Sequence, residues 1–252
     1  MNKSEKIYSA IRNKFTPDDH IERKELFDFL NKFYTDLKKT TFRWRIYELK
    51  KNNIISSVKR GVFKITSKKN YYLPDIDDQI KSINKVIKQE FDDIRFCIWN
   101  SLWLNEFSRH QASKNLTFVE VEKDLVQSIF YLLSDKNFKN VYIEPDSKTA
   151  GTYIFENYNS IIVKSLTTKA PLQSVQKISI PKIEKLLVDL FCDKNLLIAY
   201  QGNEMISIFK IALSEYEINY STLLHYSRRR KKEPELKDFP LKNIKVSKNY
   251  LL

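Results

Sequence analysis

Glycine is scarce, with 3 residues in a chain of 252. No GxGxxG or GxxxxGK[ST] run exists, which argues against loops that cradle nucleotide phosphates. Cysteine is rarer still: the 2 residues, Cys97 and Cys192, both sit in apolar runs. They read as buried thiols in a reducing cytoplasm, not as a disulfide framework. The 3 histidines, His20, His110 and His225, show no HxH or HExxH spacing, so no zinc site is expected. No nucleophile triad can be picked out. No apolar run approaches the ~20 residues of a membrane span. The opening MNKSEKIYSAIRNKF lacks a signal-peptide core. The expectation is a cytoplasmic chain with no membrane contact, no metal and no cofactor.

Positive charge, by contrast, is abundant and unevenly placed. The net charge is +13, and residues 1–70 carry 18 Lys/Arg against 8 Asp/Glu. Residues 71–170 carry 12 against 14, and residues 171–252 carry 14 against 9. A lysine-rich codon bias would raise lysine everywhere, yet the middle segment is slightly acidic. A field concentrated in the first quarter of the chain favours a polyanionic partner. With 42% hydrophobic residues, the remainder can build a core.

The first segment patterns as three helices and a hairpin. Ile7, Ile11 and Phe15 recur at helical spacing after Ser4, a candidate N-cap. Thr16-Pro17-Asp18-Asp19 breaks that helix. A second helix covers Arg23–Phe33 and a third Thr40–Asn52. At about 100° per residue, Phe42, Ile46 and Leu49 share one face of the third. Thr40, Arg43, Trp44, Tyr47 and Lys51 share the opposite one. Ile54–Val58 and Val62–Thr66 read as strands joined at Lys59-Arg60-Gly61, where Gly61 takes the positive φ of a tight turn. This order predicts a winged helix-turn-helix with its third helix in the major groove. Arg43 reaches guanine edges or phosphate. Lys51, Lys59 and Arg60 neutralise phosphate, Trp44 and Tyr47 contact thymine methyls or sugars, and Thr40 and Lys50 complete the DNA-binding set. The competing structural readings are that Trp44 packs on the second helix or the wing, and that Lys50 and Lys51 form a solvated face.

A connecting helix is expected over residues 71–92, opened by Pro74 and striped by Ile76, Ile80, Ile83, Ile87 and Phe91. Residues 93–252 alternate strands and helices. Strands are expected at Arg95–Asn100, Leu116–Glu122, Val141–Ile143, Ser160–Val163 and Lys177–Ile180. Helices are expected at Leu102–His110, Asp124–Leu133, Ile183–Phe191, Glu204–Tyr216 and Ser221–Lys231. The fold class is therefore α/β (α+β): an N-terminal winged helix-turn-helix followed by a larger mixed α/β domain with a helical C-terminal part. Two clusters in it bear on function. Glu120, Glu122 and Lys123, with Glu144 and Asp146 downstream, suggest a metal-dependent nuclease. The required acid-x-lysine order fails, however, because position 121 is valine. Arg228, Arg229, Arg230 and Lys231, followed by Lys232, either close a helix at its negative dipole end or make a second polyanion or partner contact.

The segment Trp44-Arg45-Ile46-Tyr47-Glu48-Leu49, with Arg60-Gly61-Val62-Phe63, resembles the winged-helix part of AbiE-type antitoxins. Pro181-x-x-Glu184-Lys185-Leu186-Leu187-Val188-Asp189-Leu190-Phe191 is similar to the Pro/Glu/Leu-Val-Asp segment of their C-terminal region. Ile98-Trp99-Asn100, Leu104-Asn105-Glu106-Phe107, Val119-Glu120-Val121-Glu122-Lys123 and the Arg228-Arg229 helix extend the likeness to a diverged, AbiEi-like branch. The resemblance implies the regulatory half of a type IV (abortive-infection) toxin–antitoxin pair. Its first domain would bind repeats of double-stranded DNA in its own promoter and repress it. Its second would counteract a nucleotidyltransferase-like toxin, by binding the toxin directly or through the toxin's targets. The resemblance supplies no catalytic residues. The alternatives are a nuclease targeted by the winged helix and a non-enzymatic interaction adaptor.

Overall fold

Helix-forming stretches with one apolar stripe must bury it, and the N-terminal stretches do so against each other. In the computed structural model, which describes residues 3–16, 19–34, 37–52, 54–66, 70–145, 153–154 and 156–244, the chain divides into two units, Met1–Asn70 and Tyr71–Leu252. The Ser4 side chain, Pro17, Asp18 and Asp146 lie outside the described residues.

In the first unit, α1 (Lys3–Lys14) buries Ile7 and Ile11. After β1 (Ile21–Glu22), α2 (Arg23–Asn31) buries Leu26, Phe29 and Leu30. The third helix, α3 (Lys39–Lys51), buries Phe42, Ile46 and Leu49, the face its periodicity assigns. Phe27 and Phe42 meet edge to face at 5.0 Å and lock α2 to α3. β2 (Ile55–Lys59) and β3 (Val62–Ile65) form the hairpin, with a bulge between Ser57 and Lys59. Gly61 turns it at φ +81°, and its carbonyl accepts from the Arg23 backbone N–H at 2.8 Å. The sheet order is β1-β3-β2, all antiparallel. Three helices followed by a hairpin is the expected order. The two-residue β1 carries too little pattern to be seen in sequence.

In the second unit, α4 (Asp78–Glu90) buries Ile80, Ile83 and Ile87. It begins later than Pro74, because Asp77 is the residue that caps it: its Oδ1 accepts from the Ile80 N–H at 2.7 Å. The sheet is built from β4 (Phe96–Asn100), β5 (Asn115–Val121), β6 (Val141–Ile143) and β7 (Asn159–Ser165), in the order β4-β5-β7-β6. β4 runs antiparallel to β5, whereas β5, β7 and β6 are parallel. α5 (Val126–Asp135) makes the crossover between β5 and β6. The expected helix at Leu102–His110 is instead a 3-10 segment, Ser101–Glu106, started by Asn100 Oδ1 accepting from the Trp103 N–H. A hairpin of β8 (Leu172–Val175) and β9 (Ile178–Pro181) follows. The chain then continues through α6 (Ile183–Cys192), α7 (Asn203–Glu215), α8 (Tyr220–Arg229) and α9 (Glu233–Asn243). β8 and α9 lie where the sequence pattern predicts no element.

All seven residues of β5 are buried, so both its faces are covered. Alternation separates the two. Thr117 hydrogen-bonds Gln79 of α4 on one face, and Glu120 meets Lys185 of α6 on the other.

Candidate functional site

The residues singled out on α3 and the hairpin all reach solvent: Thr40, Arg43, Trp44, Tyr47, Lys50, Lys51, Lys59 and Arg60. Trp44 is 54% exposed and Tyr47 62%, so neither indole nor phenol is spent on the core. One border of this face is set by Lys50, whose ammonium lies 5.3 Å from the Phe63 ring centre on β3. The other is set by Arg45, which hydrogen-bonds Glu48 at 2.6 Å and lies over the Tyr34 and Trp44 rings. Sequence reasoning did not single out Arg45, although its i,i+3 spacing to Glu48 is the signal for such a pair. Between these borders lies a strip of guanidinium, ammonium and aromatic groups able to meet phosphate and base edges.

The second unit holds a network of six charges, three of them buried and three part-buried. Glu120 on β5 accepts from Lys185 Nζ at 2.7 Å and from Trp99 Nε1 at 2.7 Å. Lys185 also donates to Asp189 Oδ2 at 2.5 Å, one turn along α6. Asp189 Oδ1 accepts from Tyr226 OH at 3.0 Å and from Arg230 at 2.7 Å. Arg230 reaches on to Asp193 at 2.6 Å, and Asp193 accepts from Lys164 at 2.7 Å. Lys164 on β7 stands in register with Glu120, so the alternating charges return to where they began.

Glu120, Lys185 and Asp189 are fully buried. Burial opposes ionisation of Glu120, but Lys185 and Lys164 hold its carboxyl below the usual range. Burial likewise opposes charge on Lys185, and the carboxylates of Asp189 and Glu120 hold its ammonium well above its ordinary value. Asp193, despite its burial, is pulled down to about 2 by Lys164 and Arg230. Burial, with the nearby carboxylates of Glu120 and Asp189, pushes the Cys97 thiol well up against the pull of Lys185 and Lys164, which leaves it unreactive.

The acidic cluster is divided between core and surface. Glu120 is committed to Lys185 inside the core, while Glu122 and Lys123 are exposed. Glu144 accepts from the Ser165 N–H at 3.1 Å. Among the described residues no group of three His, Cys, Asp or Glu side chains could hold a metal ion. His20, His110 and His225 are each exposed.

The basic run at the end of α8 is divided between roles. Arg230 belongs to the charge network. Arg228 grips Glu233 with two hydrogen bonds of 2.6 and 2.7 Å, and Arg229 hydrogen-bonds Thr168. Lys231 is exposed. Among the described residues no helix is long and apolar enough to cross a membrane.

No curated protein matches the chain. Residues 41–246, which take in most of α3, the hairpin and all the elements of the second unit, match a family of unknown function (DUF6577), and the chain belongs to that family.

Proposed function

We propose that residues 1–70 form a winged helix-turn-helix that binds double-stranded DNA, and that the chain is a transcriptional regulator with an antitoxin role. The observation that carries the first half is the division of α3: Phe42, Ile46 and Leu49 buried, Arg43, Trp44, Tyr47 and Lys51 exposed. The excess of basic residues in this unit supports it. In this reading α3 enters the major groove, Arg43 reads base edges, and Lys59 and Arg60 at the hairpin tip hold phosphate. The second half rests on the AbiEi-like sequence resemblance. The regulator represses its own promoter, and the second unit opposes a nucleotidyltransferase-like toxin, directly or through the toxin's targets.

The test is fluorescence anisotropy of the full chain with DNA from upstream of its own gene. Binding at low salt is expected. Arg43→Ala should change the sequence preference at a cost of about 1–3 kcal/mol, while Lys59→Ala weakens all sequences alike. Absence of binding at low salt would retire the DNA reading. Co-expression with a neighbouring nucleotidyltransferase-like gene tests the antitoxin role: failure to relieve its toxicity would retire that half.

A further inference from the structure

Trp44 is exposed and yet held. The Arg45 guanidinium carbon lies 4.8 Å from its ring centre and 4.5 Å from that of Tyr34. A guanidinium this close to an aromatic face is attracted by the ring quadrupole. Glu48, one turn further along α3, fixes the guanidinium from the side with a 2.6 Å ion pair. Arg45 and Glu48 are themselves mostly buried, each 23% exposed at the side chain. An indole left in water but clamped on one face has little rotamer freedom to lose on binding.

We infer that Arg45 is a positioning residue that holds the Trp44 indole as an apolar contact for thymine methyl groups in the major groove. This rests on the DNA-binding reading above. The chemistry follows from the groove: of the groups that base pairs display there, the thymine methyl is the apolar one. Trp44 sits about 100° around the helix from Arg43, so a guanine or phosphate contact and a methyl contact can be made side by side. The regulator then prefers sites with thymine next to the base that Arg43 reads.

The experiment uses the full chain and short duplexes that it selects from a random pool. Each is compared with the same duplex carrying uracil, which lacks the methyl, in place of thymine. The wild-type chain should bind the uracil duplex about 4-fold more weakly for each methyl contacted. Trp44→Ala should bind more weakly and ignore the exchange. Arg45→Gln should shrink the uracil penalty and move the Trp44 signal in the fluorine NMR spectrum of protein labelled with fluorinated tryptophan. Arg45→Lys, which keeps a cation, should restore part of both. Equal binding of thymine and uracil duplexes by the wild-type chain would overturn the methyl contact and leave DNA binding standing. An unchanged uracil penalty in Arg45→Gln would overturn the role of Arg45. If no duplex is bound even at low salt, the DNA-binding reading itself fails.

Discussion

Lys185 shows how much a single residue can decide in this chain. Its ammonium is fully buried and bridges two carboxylates, on α6 itself and on β5. Sequence shows half of this. Lys185 and Asp189 stand one helical turn apart in an otherwise apolar stretch, which is the pattern of a helix pair. The partner on β5 lies 65 positions away and is brought close only by the fold, so Glu120 reads in sequence as a candidate metal ligand at a strand end. Removing one member of a buried pair strands the other charge, at a cost of about 3–5 kcal/mol. Lys185→Met should lower stability by that amount in urea titration. Adding Glu120→Gln to Lys185→Met should recover part of the loss, since the uncompensated carboxylate is then gone. A double variant less stable than Lys185→Met would mean that the network is held by something other than charge balance.

Elements with one apolar stripe were legible, and elements set by capping or by long-range pairing were less so. The faces of α3 and α4 follow from spacing alone, because an amphipathic helix has one way to bury its stripe. Where α4 begins does not. A proline suits a first helical turn, but Pro74 precedes Asp77, whose carboxylate does more for the helix. One oxygen caps Ile80 and the other accepts from Asn100 Nδ2 at 2.7 Å, tying the helix start to the end of β4. Asp77→Ala should therefore cost more than an ordinary cap, about 2 kcal/mol or above. Asp77→Asn, which keeps an acceptor for the cap, should cost less. Thermal unfolding of both variants checks this, and equal losses would show that the cap contributes little. The order of the parallel strands, with β7 between β5 and β6, was out of reach of sequence because nothing local specifies it.

For the whole molecule, counting charges located the basic excess but could not say which charges are already paired. Near the end of α8, Arg228 is held by Glu233, Arg230 by Asp189 and Asp193, and Lys232 by Glu235. That run is therefore far less cationic towards a partner than its sequence suggests. On the first unit, Arg43, Lys51, Lys59 and Arg60 are exposed, and the unit as a whole holds 18 basic against 8 acidic residues. If DNA binding draws on this unit, each phosphate contact contributes about −0.9 to the slope of log affinity against log salt. Replacing Lys59 and Arg60 together by glutamine should flatten that slope by about 2. Replacing Arg229 and Lys231 by glutamine should flatten it by less than about 1. Anisotropy titrations over a range of salt concentrations decide between the two surfaces. The reverse ranking would move the polyanion contact to the second unit and leave α3 as a surface for some other partner.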